Sequence, residues 1–154
     1  MKFFNALAFF AGSISARSSG APGYTPILQN LKPGGPHARL WATKEEFGPA
    51  HHHISFGYDE SSGEVVFVNG DNDAKTFKGL LLRLTGAEFN GIPGGFKGYP
   101  HQSNYLTHSS PALKSTADVR FPISCNPGDS VKVEATMAIK INEFFFDLVG
   151  EFQC

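Results

Sequence analysis

The chain has 154 residues, carries 13 Lys and Arg against 14 Asp and Glu for a net charge of −1, and is 41% hydrophobic. That balance, with no basic cluster, argues against nucleic acid or an anionic membrane as a partner held by bulk charge. The size suits one domain with a core that needs neither a metal nor dense disulfides.

The first 16 residues read as a cleavable signal peptide. Lys2 gives the positive start, Phe3 to Ala11 the apolar stretch, and Ser13-Ile14-Ser15-Ala16 the small residues for cleavage after Ala16. The apolar run is about half the ~20 residues a spanning helix needs, and no second run of spanning length occurs. Residues 17–154 are then a single secreted domain, with no membrane span. Cys125 and Cys154 are the two cysteines. In an oxidising exterior they pair by default, closing a loop of roughly 30 residues for about 3–4 kcal/mol. No Asn-x-Ser/Thr sequon occurs.

From Arg17 to Pro36 the chain is rich in Ser, Gly and Pro, an irregular and mostly extended lead-in. Ala38 to Phe47, with Leu40 and Trp41, has room for one helical turn. Strands begin after Pro49. Ile54, Phe56 and Tyr58 alternate with His53, Ser55 and Gly57, the period of a half-buried strand. Asp59 to Gly63 is a turn, Glu64 to Val68 a second strand, and Asn69 to Asp73 a break. Phe77 to Leu84 is a third strand, and its Leu80-Leu81-Leu82 run suits a central position. Gly86 to His101 is a glycine-rich loop with at most a short strand near Phe96. Asn104 to Thr107, Asp118 to Ile123, Ser130 to Ile141 and Glu143 to Phe152 complete the strands. In the penultimate one Val131, Val133, Ala135, Met137 and Ile139 face one way and Lys132, Glu134, Thr136 and Lys140 the other. Asn126-Pro127-Gly128-Asp129 makes the turn before it and Asn142-Glu143 the reversal after it. Short strands, frequent turns and no long helix predict an all-β antiparallel sandwich of about seven to nine strands, in preference to the partly open barrel that the same spacing allows. Phe121 and Leu81 are placed inward with the alternating residues of the penultimate strand.

The motifs resemble a known family. Gly20-Ala21-Pro22 with Pro33 and His37 is similar to the opening of a Reeler domain. Phe77-Lys78-Gly79-Leu80-Leu81-Leu82 resembles that domain's Phe-Arg-Gly-Phe-Leu-Leu strand, and Gly95-Phe96 its Gly-x-Phe. Asn104-Tyr105-Leu106-Thr107-His108-Ser109, with Lys114 and Val119-Arg120-Phe121, resembles its Asn-Ala-Val-Thr-His segment and the stretch just after that segment. Gly128 to Ala138, with Glu134-Ala135-Thr136, is similar to its Gly-x-Val-x-x-x-Ala-Thr strand. The order holds across nearly all of residues 17–154. The family usually has one cysteine shortly after Gly-Ala-Pro and another just before Asn-Ala-Val-Thr-His. Thr25 or Ile27, and His101 to Ser103, stand there in this chain, so that bridge is lost as a pair.

The resemblance implies a Reeler-like fold and an extracellular binding module without catalytic residues or a cofactor. A chain that ends with the domain is similar to the stand-alone insect defence proteins of the family. Those are associated with innate immunity, recognition of microbial surface polymers and nodulation. The partners implied are therefore a microbial surface polysaccharide or lipopolysaccharide. The alternative is an extracellular matrix or adhesion module that binds a host extracellular protein.

The residues themselves offer few catalytic constellations. There is no Gly-x-Ser-x-Gly elbow and no His-Glu-x-x-His pair. In His51-His52-His53, alternation along a strand lets His51 and His53 share a metal but needs a third ligand such as His37, His101 or His108. Solvated imidazoles at a strand entrance explain the run more simply. Arg17, not a histidine, would be the mature terminus, which argues against a copper site on an N-terminal histidine. Asp71 and Asp73 lack the rest of a calcium loop and read as turn residues. Asp118 and Asp147 read as surface charges on strands. The candidate ligand site is the aromatic segment from Phe89 to Tyr105, through Phe96, Tyr99 and His101, since aromatic faces stack on sugar rings. Phe89 and Phe96 suit the core better than a ligand site, as plugs of the sandwich end; Tyr99 and Tyr105 are evenly balanced between packing and binding.

Overall fold

A computed structural model describes Leu31 and residues 54–70, 73–140 and 143–154. The signal segment, the Gly-Ala-Pro opening, the His51-His53 run and Trp41 lie outside the described residues. Among the described residues there are eleven strands: β1 (Ile54–Asp59), β2 (Glu64–Asn69), β3 (Thr76–Phe77), β4 (Gly79–Thr85), β5 (Glu88–Phe89), β6 (Phe96–Tyr99), β7 (Gln102–His108), β8 (Lys114–Ser115), β9 (Arg120–Ser124), β10 (Ser130–Lys140) and β11 (Glu143–Gln153). Eight of them have four residues or more; β3, β5 and β8 have two each. Among the described residues no helix is long and apolar enough to cross a membrane.

The strands form a four-stranded sheet, β1-β2-β9-β5, a five-stranded sheet, β11-β10-β4-β7-β6, and a small β3-β8 pair. Every pairing is antiparallel. β4 holds the middle of the larger sheet, as its leucine run predicts. Alternation along β10 sends Val131, Val133, Ala135 and Met137 into the core, all at most 1% exposed. Their cross-strand partners on β4 are Leu84, opposite Val133, Leu82, opposite Ala135, and Leu80, opposite Met137. The other sheet supplies Ile54, Phe56, Val65, Phe67, Phe121 and Ile123 to the same core. The protein is an all-β antiparallel sandwich.

Phe121 is the centre of an aromatic cluster. Its ring lies 5.3 Å from Phe96, 5.9 Å from Phe67 and 6.4 Å from Phe89, each edge to face. Such pairs add about 0.5–1.5 kcal/mol beyond their burial. Lys114, itself buried, places its ammonium 5.7 Å from the centroid of the Phe96 ring. It donates to the carbonyls of Lys78, Ser110 and Ala112, which offsets the cost of burying a charge. Burial still holds its pKa below the ordinary lysine value.

Two glycines set where the backbones meet. Gly150 in β11 lies so close to β1 that an added Cβ would stand 2.4 Å from the Phe56 carbonyl oxygen. Gly86 comes directly after β4 with φ +87°, and its Cβ would stand 2.3 Å from the Ser130 carbonyl oxygen. The Cys125–Cys154 disulfide ties the end of β11 to the turn before β10. Backbone bonds from Gly128 N to Cys154 O, at 2.6 Å, and from Cys154 N to Asp129 O, at 3.0 Å, reinforce it.

Three sequence expectations need correction. Leu81 does not join the main core; it packs on the opposite face of β4 against Leu31, Tyr99 and Tyr105. The pleat requires this, because Leu80 and Leu82 already point inward and adjacent residues alternate. The strand foreseen from Phe77 to Leu84 breaks at Lys78, and Phe77 pairs instead with Lys114 in the small sheet. Asp118 sits in the turn ahead of β9 rather than on the strand, its amide bonded to the Ser115 carbonyl.

Candidate functional site

The outward face of the five-stranded sheet carries the candidate tyrosines. Tyr99 closes β6 and Tyr105 lies on β7, and their rings stand edge to face with centroids 6.5 Å apart. Both are half-buried against Leu81 and Leu31. The Thr136 hydroxyl, on β10, donates to the Leu31 carbonyl and fixes that residue over the sheet. Tyr99 shares a hydrogen bond with Thr107, and burial pushes its phenol up to about 12.

A polar row crosses the sheet beside the tyrosines. Glu134 on β10 is the register partner of Arg83 on β4, and Arg83 that of Tyr105 on β7. Arg83 donates to Glu134 Oε2 from Nη2 at 2.6 Å and from Nε at 3.0 Å, and hydrogen-bonds Tyr105. Lys132 Nζ lies 3.3 Å from Glu134 Oε1. Burial works to raise the Glu134 carboxyl, but the hydrogen bonds from Arg83 and Lys132 outweigh it and hold the pKa below the ordinary glutamate value. The face thus offers two aromatic rings, a guanidinium and an ammonium, all on strands of one sheet. Rigid elements of this kind lower the ordering cost of binding.

His101 joins the tyrosines at the β6–β7 turn. Tyr99 pairs with Gln102, leaving Pro100 and His101 as the turn residues. His101 has φ 62°, and Pro followed by a positive φ is the pattern of a type II turn. Glycine or asparagine normally takes that second place, so the exposed His101 is held in the turn at some backbone cost. Phe96 belongs elsewhere: at 6% exposure its ring is part of the core, packed against Phe121 and the Lys114 ammonium. Phe89 also packs on Phe121.

Of the aromatic segment singled out from the sequence, the fold therefore brings together Tyr99 and Tyr105, sets His101 exposed in the adjoining β6–β7 turn, and buries Phe96 in the core. Arg83, Lys132 and Glu134 were not foreseen as neighbours. The signal was present, since in Leu80 to Leu84 the arginine shares the outward parity of Leu81. Among the described residues no three His, Cys, Asp or Glu side chains group as a metal site would require.

No protein-family profile matches the chain, and no curated protein does. Among solved structures it is similar to the Reelin-N domain of F-spondin, with TM-score 0.46 and 14% identity, covering 66% of this chain and 85% of that one. It is also similar to the human F-spondin reeler domain, with TM-score 0.39 and 14% identity, covering 66% of this chain and 88% of that one.

Proposed function

We propose that this protein is a secreted, non-enzymatic recognition protein of innate immune defence that binds microbial surface polymers through the Tyr99–Tyr105 face. The observation that carries the reading is the edge-to-face tyrosine pair, backed by Leu81 and flanked by Arg83 and Lys132. Ring faces stack on sugars, while the cations suit the phosphates and carboxylates that decorate wall polymers. The signal-peptide pattern of residues 1–16 and the ordered Reeler-like motifs support the extracellular setting.

The test is a pull-down of purified residues 17–154 on lipopolysaccharide, lipoteichoic acid and β-glucan. Retention on at least one polymer is expected, weakened by Tyr99→Ala or Tyr105→Ala in variants whose circular dichroism matches the parent. Retention on none, with capture by a host extracellular protein, would replace this reading with an adhesion module.

A further inference from the structure

Beside β4, β5, β7 and β9 the surface holds an open cleft of about 600 Å³. Leu84 and Ala87 line its apolar part; Glu88, Asn104, Ser124 and Asp129 supply the polar part. The volume falls in the ~300–1,000 Å³ range of small-molecule sites. We propose that this cleft binds a hydroxyl-bearing ligand with a protonated amine, the chemistry of an amino sugar. The inference goes beyond the polymer reading above, because it concerns a different surface and none of its residues lies on the tyrosine face.

Unused hydrogen-bonding capacity is the first argument. Asn104 donates from Nδ2 to the Leu84 carbonyl at 3.1 Å, which orients the amide and leaves Oδ1 without a partner among the described residues. Ser124 and Glu88 are exposed, so their hydroxyl and carboxylate stand open to a ligand in place of water. Asp129 spends Oδ2 on the Asn126 amide and side chain, at 3.1 and 2.9 Å, and keeps Oδ1. These groups are chiefly acceptors, so they call for a ligand rich in donors. Hydroxyls and an ammonium provide them.

Charge gives the sign. Two carboxylates line the cleft, and no Lys, Arg or His is among its lining residues. A cationic ligand meets charge-assisted hydrogen bonds there; an anionic one meets like charge. Rigidity is the third argument. The Cys125–Cys154 bond, the two backbone bonds between residues 128–129 and Cys154, and the Asn126–Asp129 turn pin one wall. The opposite wall starts at Gly86, whose close approach to Ser130 admits no side chain. A site built in advance loses little entropy on binding.

The test is a titration of the isotopically labelled, disulfide-bonded protein with glucosamine, monitored by amide chemical shifts, with N-acetylglucosamine as the uncharged control. Shifts confined to the cleft, around Glu88, Asn104 and Ser124, are expected at ligand concentrations of roughly 10 mM. N-acetylglucosamine should bind about tenfold more weakly, and Glu88→Gln should erase that preference while leaving the rest of the spectrum in place. Tyr99→Ala should leave the cleft shifts unchanged, so the two readings fail separately. No shift at the cleft, or equal binding of both sugars, overturns the proposal.

Discussion

The Thr107 hydroxyl donates to the Leu80 carbonyl oxygen at 2.8 Å, joining β7 to β4 through a side chain inside the sheet. Asn104 repeats the device toward the Leu84 carbonyl, and His108 accepts the Leu80 amide proton at Nδ1 at 3.1 Å. The Asn104 to His108 segment thus acts as a structural seam. It also supports the tyrosine face, since Thr107 bonds Tyr99 as well.

Thr107→Val tests the seam. The substitution keeps the shape and removes the hydroxyl, in a position that is 0% exposed. A loss of about 1–3 kcal/mol is expected, read as a lower urea midpoint at unchanged slope. A midpoint equal to the parent's would show that the seam adds nothing.

Gly150→Ala tests the approach of β11 to β1. A methyl group 2.4 Å from the Phe56 carbonyl, and 2.7 Å from its Cβ, forces the strands apart. Overpacking of this kind costs about 1–3 kcal/mol. The stacked Tyr58–Phe152 pair, with centroids 5.1 Å apart, spans the same junction and should loosen with it. Thermal unfolding monitored by near-ultraviolet dichroism reports both effects.

Local alternation made most of the sandwich legible. Val131 to Met137 announces its own strand, and turn residues mark nearly every strand boundary. What alternation could not give is which strands become neighbours. Arg83 meets Glu134 and Tyr105 only because β4 lies between β10 and β7 in space. Parity along β4 was readable but was overridden by the apolar run Leu80-Leu81-Leu82, which hides an outward leucine between two inward ones. Phe96 was ambiguous for another reason. An aromatic residue in a glycine-rich loop has the same local signature whether it faces a ligand or plugs a core. Its burial depends on Phe121, a residue far along the chain. The cleft is built from the same kind of long-range meeting, and nothing in the local sequence of Glu88 or Ser124 marks it.

Reduction should weaken the domain more than any surface change. Cys125 and Cys154 close a loop with a separation of 29 residues, and no free cysteine is present. Opening the loop in the unfolded chain costs the folded state about 3–4 kcal/mol. A reductant, or the paired Cys125→Ser and Cys154→Ser change, should lower the urea midpoint accordingly. Mass analysis of unreduced peptides should find the two joined, and two thiols alkylated in the native protein would overturn the pairing.

Tyr99 makes the fold sensitive to alkali. Burial raises its phenol from 10.0 to about 12, so the folded chain holds its proton where the unfolded chain has lost it. A group with a raised folded pKa contributes stability that is complete below the unfolded value and is lost as pH climbs through the folded one. Stability should therefore fall between pH 10.0 and about 12. Tyr99→Phe should flatten that fall and remove the latest phase of the ultraviolet tyrosinate titration. A titration in which Tyr99 ionises at the ordinary value would show it open to water.

His101→Gly separates stability from recognition. With φ 62°, His101 occupies the turn position that glycine takes without strain. The left-handed conformation costs a side-chain-bearing residue about 1–2 kcal/mol, part of which glycine returns to its larger freedom when unfolded. A gain of about 0.5–1 kcal/mol in denaturant stability is expected. The same change deletes an exposed imidazole two residues along the chain from Tyr99, so polymer retention should drop while the fold improves. The opposing directions make the result informative, because a purely structural turn residue would move only the first measurement. Higher stability with unchanged retention would remove His101 from the site and leave the tyrosine pair to carry it.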